Sequence, residues 1–149
     1  MNSGTMTHPF LAGLRPALLT ELAEHAIAMH YPDDYRIFSE SDPANRFWLI
    51  EDGTVALDLH VPGRGAQVFE TIGPGTVLGW SWLFPPYRWQ FGAVARGPVQ
   101  AIEFGAEAVR ERCARDPEFG YAILSRIVPV LGDRLRTARL RLLDLWGRP

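Results

Sequence analysis

Four large aromatic side chains lie within a short segment in the middle of the chain, and rings at this density can bind a flat or apolar ligand by stacking. The rings are Trp80, Trp82, Trp89 and Phe91. The same side chains could instead fill the core of a small domain. Because large aromatics in a small β-protein are more often core, we favour the interpretation that these side chains fill the space where a ligand would bind. The alternative is that they form an aromatic box around a flat or apolar ligand.

Residue types that carry catalysis are present, but their spacing does not match a catalytic site. A metal enzyme of the cupin type needs His and carboxylate ligands that converge inside a barrel. The four histidines form no His-x-His pair: His8, His25, His30 and His60. Ser81 has no Gly-x-Ser-x-Gly around it, and Cys113 has no nearby His or Lys to form a thiolate. We predict no enzyme activity, no catalytic residue and no metal ligand, with a cupin-like metal enzyme as the alternative from another class.

The composition indicates one water-soluble domain over residues 1–149. The apolar fraction is 47%, the charged fraction is 21% and the formal charge is −2. No apolar run approaches the ~20 residues of a membrane span, and no basic excess indicates nucleic-acid binding. Since Cys113 is the only cysteine, it cannot form an internal disulfide, which fits a reducing compartment. We predict a cytoplasmic protein without a membrane partner.

The elements that position these residues are predicted to be mainly β, with flanking helices. Turn-forming pairs such as Asp52-Gly53 and Gly97-Pro98 recur at roughly ten-residue spacing over residues 28–104, a pattern typical of a sandwich or barrel. About eight short strands fit into this range, the count of an antiparallel jelly roll, or double-stranded β-helix. The apolar runs on both sides of Asp52-Gly53 also predict a β-hairpin there.

Helical periodicity is found at both ends of the chain. A first helix of about three turns, opened by Pro16, is predicted from Leu18, Leu19, Leu22, Ala23 and Ala26. A flexible arm at residues 1–8 precedes it. Residues 105–115 and 118–146 predict two C-terminal helices, the second long and interrupted by Pro129.

The last helix carries apolar residues at alternating spacings of four and three, which is the a/d pattern of a coiled-coil seam. These residues are Leu124, Val128, Leu131, Leu135, Ala138, Leu142 and Leu145. A helix packed on its own sandwich would show a similar stripe. Because the tail extends beyond what a small sandwich needs to cover, we predict a homodimer through this helix. The arginines of the same helix are interpreted as a solvated face.

Several motifs in this order resemble the cyclic-nucleotide-binding domain of the catabolite-activator type. Ile37-Phe38-Ser39-Glu40-Ser41-Asp42 is similar to the family signature Ile-Phe-x-Glu-Gly-Asp. Ile72–Gly79 resembles the glycine-rich segment that precedes the family's phosphate-binding cassette, and Gly79–Ala95 resembles the cassette itself. The resemblance covers nearly the whole chain and implies the jelly-roll fold. Transcription factors of the family continue into a helix-turn-helix, whereas this chain stops at Pro149, so we expect a sensor domain without a DNA-binding module.

The resemblance also implies where a cyclic nucleotide would bind. In the family a glutamate follows the cassette glycine, an arginine lies ten residues after that glycine, and both contact the nucleotide together with backbone amides. Trp80 occupies the glutamate position and Trp89 the arginine position. Strand alternation directs Arg88 outward if Trp89 points inward. Because the charge that would compensate phosphate desolvation is lost, we predict that cyclic AMP and cyclic GMP bind weakly or not at all.

The candidate ligand-binding residues are therefore those of the cassette: Gly79, Trp80, Ser81, Trp82, Leu83, Arg88, Trp89, Gln90 and Phe91. Our leading hypothesis is a regulatory domain with a degenerate cassette, which acts by moving its C-terminal helices in response to a ligand or an unidentified protein partner. The alternative is a sensor whose altered pocket recognises another small ligand, such as a larger dinucleotide or a fatty molecule. No cofactor is predicted.

Overall fold

The computed structural model describes residues 7–147, and antiparallel strands make up most of it. The strands are β1 (Ala26–Tyr31), β2 (Arg36–Phe38), β3 (Arg46–Val61), β4 (Gly65–Ile72), β5 (Val77–Leu78) and β6 (Gly92–Gly105). Helix α1 (Pro16–Ala23) precedes the strands, and α2 (Ala106–Arg115) and α3 (Pro117–Gly147) follow them. Short 3-10 turns occur at Pro9–Leu11 and Ser81–Leu83. The prediction of a mainly β fold is confirmed, and the described residues also form three α-helices.

Two long strands form the centre of the sheet. β6 pairs with β1, β2 and β3, and β3 pairs in addition with β4 and β5. The ladder between β3 and β6 runs from Arg46 opposite Gly105 to Asp58 opposite Gly92. The described residues contain six strands rather than the predicted eight. Two predicted turns do not end a strand, because β3 continues through Asp52-Gly53 and β6 continues through Gly97-Pro98. This arrangement is consistent with the jelly roll that the resemblance implies.

The predicted β-hairpin at Asp52-Gly53 is wrong. β3 continues through this pair, and its register against β6 shifts on both sides of Asp52. Gly53 has a φ of +93°, and a Cβ there would clash with the Pro98 carbonyl oxygen and lie 2.9 Å from Val99 Cα. The Asp-Gly signal therefore produces a bend in a continuous strand, because β6 pairs with β3 before and after the bend.

The N-terminal helix is shorter than predicted. α1 ends at Ala23, whereas Ala26 begins β1 opposite Phe104. Leu18 and Leu22 are buried and attach the helix to the core. The helical spacing extends to Ala26 in the sequence, but the hydrogen-bonded ladder with β6 determines its conformation.

The predicted flexible arm at residues 1–8 falls mostly outside the described residues, and His8 does not belong to it. The His8 side chain is buried. Its Nε2–H donates to the Ile50 carbonyl at 2.9 Å, and its Nδ1 accepts from the Phe10 amide at 3.1 Å. Burial lowers the pKa of His8, which favours the neutral imidazole that this pair of bonds requires.

The last helix passes through Pro129 without ending there. Pro129 lies inside α3, so the predicted interruption is not a break. The turns before it are anchored by Phe119, Ile123 and Ile127, which are at most 2% exposed, and this packing offsets the missing backbone hydrogen bond. No helix among residues 7–147 combines the length and apolar character that a membrane crossing requires.

Candidate functional site

The cassette segment, residues 79–91, connects β5 to β6 through tight turns. Gly79 has a φ of +99°, the Pro85-Pro86 peptide bond is cis, and Tyr87 has a φ of +56°. Arg110 of α2 holds this segment in place. Its Nη1 donates to the Trp82 carbonyl at 2.7 Å, and its guanidinium lies 4.3 Å from the centre of the Tyr87 ring. The conformation of the segment is therefore tied directly to α2.

Trp89 fills the space beside the cassette glycine. Its side chain is 4% exposed and stacks on Phe38 with a centroid distance of 4.0 Å. Its backbone N–H donates to the Asp42 carbonyl at 3.0 Å. A Cβ added to Gly79 would lie 2.6 Å from Trp89 Cη2, so the indole contacts the glycine backbone directly. A neutral ring thus occupies the position at which the resemblance places an arginine.

Trp82 is also a core residue. It is fully buried, its ring lies 4.6 Å from that of Phe47, and its Nε1–H donates to the Gly79 carbonyl at 3.1 Å. Ser81 is 2% exposed and Leu83 is half-buried. The turn that begins with Ser81 is therefore packed into the protein interior.

Arg88 and Gln90 point away from the core. Both side chains are exposed, and the Arg88 guanidinium donates to the Ser41 carbonyl at 2.8 Å. The alternation inferred from the sequence, with Trp89 inward and Arg88 outward, matches this geometry. Arg88 does not take the place of the missing cassette arginine in this conformation.

The other two aromatic residues of the cassette segment line a cavity of about 570 Å³ between the sheet and α3. We call this cavity the groove. Its sheet wall is formed by Leu57, Phe69, Trp80 and Phe91, and its helix wall by Leu131, Leu135, Ala138, Leu142 and Leu145. Trp80 and Phe69 both make edge-type ring contacts with Phe91, at 5.5 and 5.8 Å between ring centres. Of the four aromatics of the segment, Trp82 and Trp89 lie in the core alone, whereas Trp80 and Phe91 line the groove and Phe91 is also buried in the core.

Three charged residues complete the lining of the groove. Glu70 of β4 and Arg134 of α3 form an ion pair of 2.6 Å whose side chains are only 10% and 15% exposed. Arg141 also lines the groove, and no described residue forms a hydrogen bond or ion pair with it. Glu70 and Arg134 were not found by sequence reasoning, because residues 64 positions apart carry no local signal of pairing.

The predicted dimer residues serve two surfaces of α3. Five of the seven line the groove: Leu131, Leu135, Ala138, Leu142 and Leu145. Leu124, Val128, Leu135 and Leu142 are each about half exposed and follow one another along one side of the helix. Leu135 and Leu142 thus belong both to the groove wall and to an exposed apolar strip.

A second ion pair lies beside the small-residue strand that follows the cassette segment. Arg36 donates two hydrogen bonds of 2.8 Å to the Asp58 carboxylate, and this contact raises the pKa of Arg36. Gly92 lies against both side chains, because a Cβ there would be 2.5 Å from Arg36 Nη1. The two charges satisfy each other and do not form a free anion or cation site.

Among the described residues, groups that could bind a metal or act as a nucleophile do not converge. Residues 7–147 contain no cluster of three or more His, Cys, Asp or Glu side chains that could hold a metal ion. His25, His30 and His60 are exposed. Desolvation raises the pKa of Cys113 to about 11, so its thiol stays protonated at neutral pH.

Comparison with known proteins finds a matching family model and a similar curated protein. The family model of the cyclic nucleotide-binding domain matches residues 28–116. The CRP-like cAMP-activated global transcriptional regulator of Mycobacterium tuberculosis is 26% identical over 133 residues, which are 89% of this chain and 58% of that protein. The chain therefore spans 58% of the length of this curated relative.

Solved structures show the same fold. A putative cyclic nucleotide-binding protein from Geobacter metallireducens superposes with a TM-score of 0.81 at 23% identity, covering 91% of this chain and 99% of that one. The catabolite activator protein of Thermus thermophilus superposes with a TM-score of 0.71 at 24% identity, covering 93% of this chain and 63% of that one.

Proposed function

This chain belongs to the cyclic nucleotide-binding domain family, and from that premise we propose that it is a non-enzymatic regulatory domain whose cassette does not bind cyclic AMP or cyclic GMP tightly. The observation that carries this proposal is the placement of Trp89, which is buried against Phe38 and in contact with Gly79. The indole occupies the volume and the position at which the cassette resemblance places a phosphate-binding arginine.

The electrostatics of the cassette segment support the proposal. A cyclic phosphate is an anion, and its transfer from water to a site lined by Trp89 lacks a compensating positive charge. The nearest candidate in the segment is Arg88, which points outward and donates to the Ser41 carbonyl. The free-energy cost of desolvating the phosphate would therefore exceed the free energy gained from its hydrogen bonds with the remaining backbone amides.

The ribose side of the site supports the same conclusion. Trp80 replaces the glutamate that the resemblance implies, and its ring lies on the groove wall. Glu70 is a carboxylate of the groove, but Arg134 already holds it at 2.6 Å. A ribose hydroxyl would have to compete with that ion pair, so a nucleotide gains little there.

The contacts of α2 provide a route for a regulatory output. Arg110 joins α2 to Trp82 and Tyr87 of the cassette segment, and α2 packs on α3. We propose that a shift of the groove wall moves these helices, and that a second copy or another protein in the cytoplasm reads the movement from α3.

Calorimetric titration of the full chain with cyclic AMP and with cyclic GMP tests the proposal. We expect no binding in the low-micromolar range for either nucleotide. The Mycobacterium tuberculosis regulator, described as cAMP-activated, serves as the positive control in the same buffer. A low-micromolar dissociation constant for either nucleotide on this chain would show that the cassette is functional and the proposal wrong.

The second candidate function is a sensor for a different small ligand. The observation that favours it is the groove, which has about 570 Å³ of space beside Trp80 and Phe91, within the range of small-molecule sites. A thermal-shift screen distinguishes it from a domain without any ligand, because a compound that binds only the folded state raises the melting temperature.

A further inference from the structure

We propose that the groove between the sheet and α3 binds a long-chain aliphatic monocarboxylate, with the hydrocarbon chain along the apolar walls and the carboxylate at Arg141. This inference rests on the proposed function, because it requires a groove that a cyclic nucleotide does not occupy.

The apolar walls of the groove favour a ligand that is mostly hydrocarbon. They combine aromatic and aliphatic side chains from β3, β4, the cassette segment and α3. The charged residues Glu70 and Arg134 of this lining already form an ion pair with each other. A nucleobase or sugar would lose hydrogen bonds to water without gaining partners on these walls, which is costly. A hydrocarbon chain has no such groups and gains free energy for each methylene that leaves water.

The charge of the groove selects one anionic group. Glu70 and Arg134 neutralise each other, so Arg141 supplies the remaining charge of the lining. Arg141 follows Arg134 by seven residues and thus lies about 10 Å further along the helix axis on the same side. A guanidinium binds a carboxylate through two parallel hydrogen bonds. The ligand is therefore an amphiphile with a single carboxylate.

The length of the groove selects an extended chain. The helix wall runs from Leu131 to Leu145, which corresponds to about 21 Å of α-helix. Leu142 and Leu145 are 56% and 72% exposed although they line the groove. Their exposure shows that the distal half of the groove is open, and an alkyl chain laid along it would cover apolar surface that now contacts water.

The test is a calorimetric titration of the full chain with saturated carboxylates of eight to fourteen carbons, each below its critical micelle concentration. We expect the affinity to rise by about fourfold for each added methylene until the groove is filled. Dodecanol, which has the chain without the charge, should bind roughly tenfold more weakly than dodecanoate.

Three variants locate the site. Arg141→Gln should weaken dodecanoate binding by about tenfold and leave dodecanol binding unchanged. Arg139→Gln is the matched control, since Arg139 is exposed and belongs to the same helix but does not line the groove. Ala138→Trp fills the groove and should abolish binding of both ligands, while circular dichroism verifies that the variant is folded.

The outcomes separate this inference from the proposed function. Failure of every carboxylate to bind, together with failure of the cyclic nucleotides, would overturn only the inference. Equal binding of dodecanol and dodecanoate, or equal effects of Arg141→Gln and Arg139→Gln, would overturn the assignment of the carboxylate to Arg141. Unchanged binding in a folded Ala138→Trp variant would place the ligand elsewhere and overturn the site. Low-micromolar binding of cyclic AMP would overturn the proposed function itself.

Discussion

Gly79 and Trp89 lie ten positions apart in the sequence and touch in the folded protein. Gly79 adopts a φ of +99°, a conformation that L-residues with a side chain rarely adopt. Its missing side chain also leaves room for the indole, because a Cβ would lie 2.6 Å from Trp89 Cη2. The glycine is thus required for two independent reasons, and only the second depends on Trp89.

Substitution of Gly79 by alanine should therefore cost more stability than backbone strain alone explains. Gly63 is the matched control, with a φ of +81° and no atom within 4 Å of an added Cβ. We expect Gly63→Ala to lower the free energy of unfolding by about 1–2 kcal/mol, and Gly79→Ala by about 1–3 kcal/mol more, from overpacking. Urea denaturation measures both values.

A third variant separates the two contributions to the Gly79 effect. In a Trp89→Leu background the ring is gone, so the difference between Gly79→Ala and Gly63→Ala should shrink toward zero. If the difference persisted unchanged, the contact between the indole and the glycine would not be what makes Gly79 necessary.

At the scale of elements, the long helix α3 is attached to the sheet by apolar packing and by the Glu70–Arg134 ion pair. Phe119, Ile123 and Ile127 pack into the core near the start of the helix. Farther along, Arg134 reaches Glu70 of β4 at 2.6 Å, with both side chains largely buried. This pair holds the groove-lining part of α3 against β4.

Removal of Arg134 should destabilise the protein and loosen the end of α3. We expect Arg134→Gln to lower the free energy of unfolding by about 2 kcal/mol, because the Glu70 carboxylate would stay largely buried without its partner. Arg15→Gln is the control, since Arg15 and Glu118 form an ion pair with side chains 63% and 57% exposed, and it should cost less than about 1 kcal/mol.

Urea denaturation gives the two free energies, and amide hydrogen exchange reports where the structure loosens. Exchange in Arg134→Gln should increase in the turns of α3 after residue 134 and remain unchanged in the β3–β6 ladder. Equal destabilisation by Arg134→Gln and Arg15→Gln would mean that burial of the Glu70 pair has no energetic consequence.

At the scale of the whole molecule, α3 carries an exposed apolar strip that the described chain does not cover. The strip contains Leu124, Val128, Leu135 and Leu142, each about half exposed. Their spacing follows the seam of a two-stranded coiled coil. Burial of such a strip against a second copy would remove apolar surface from water and would also cover the open side of the groove at Leu135 and Leu142.

The oligomeric state can be measured by light scattering at micromolar protein concentration. We expect a dimer for the wild type and a monomer for Val128→Glu, which places a charge on the strip outside the groove lining. Leu140→Glu is the control and should remain dimeric, since Leu140 is 52% exposed but lies about 140° around the helix from Leu135. A strictly monomeric wild-type mass would contradict dimerisation through α3.

Local patterns in the sequence predicted a mainly β chain with helices and gave the bounds of the cassette segment. Helical spacing identified α1, α2 and α3, and turn-forming pairs marked a mainly β region between them. The opposite orientation of Trp89 and Arg88 also followed from the sequence, because alternation along an extended chain is a property of neighbouring residues; which of the two points inward did not. The resemblance to the cyclic nucleotide-binding family rested on the same local motifs.

Only the tertiary structure decided which strands pair and which side chains of these elements pack in the core or line the groove. Pairing with β6 turned the expected hairpin at Asp52-Gly53 into a bend of a continuous strand. Packing left Trp82 and Trp89 wholly in the core and placed Trp80 and Phe91 along the groove, where Phe91 is a buried core residue as well. These outcomes depend on contacts between residues far apart in the chain, and the free energy of such contacts comes from burial and pairing that no local pattern of residues contains.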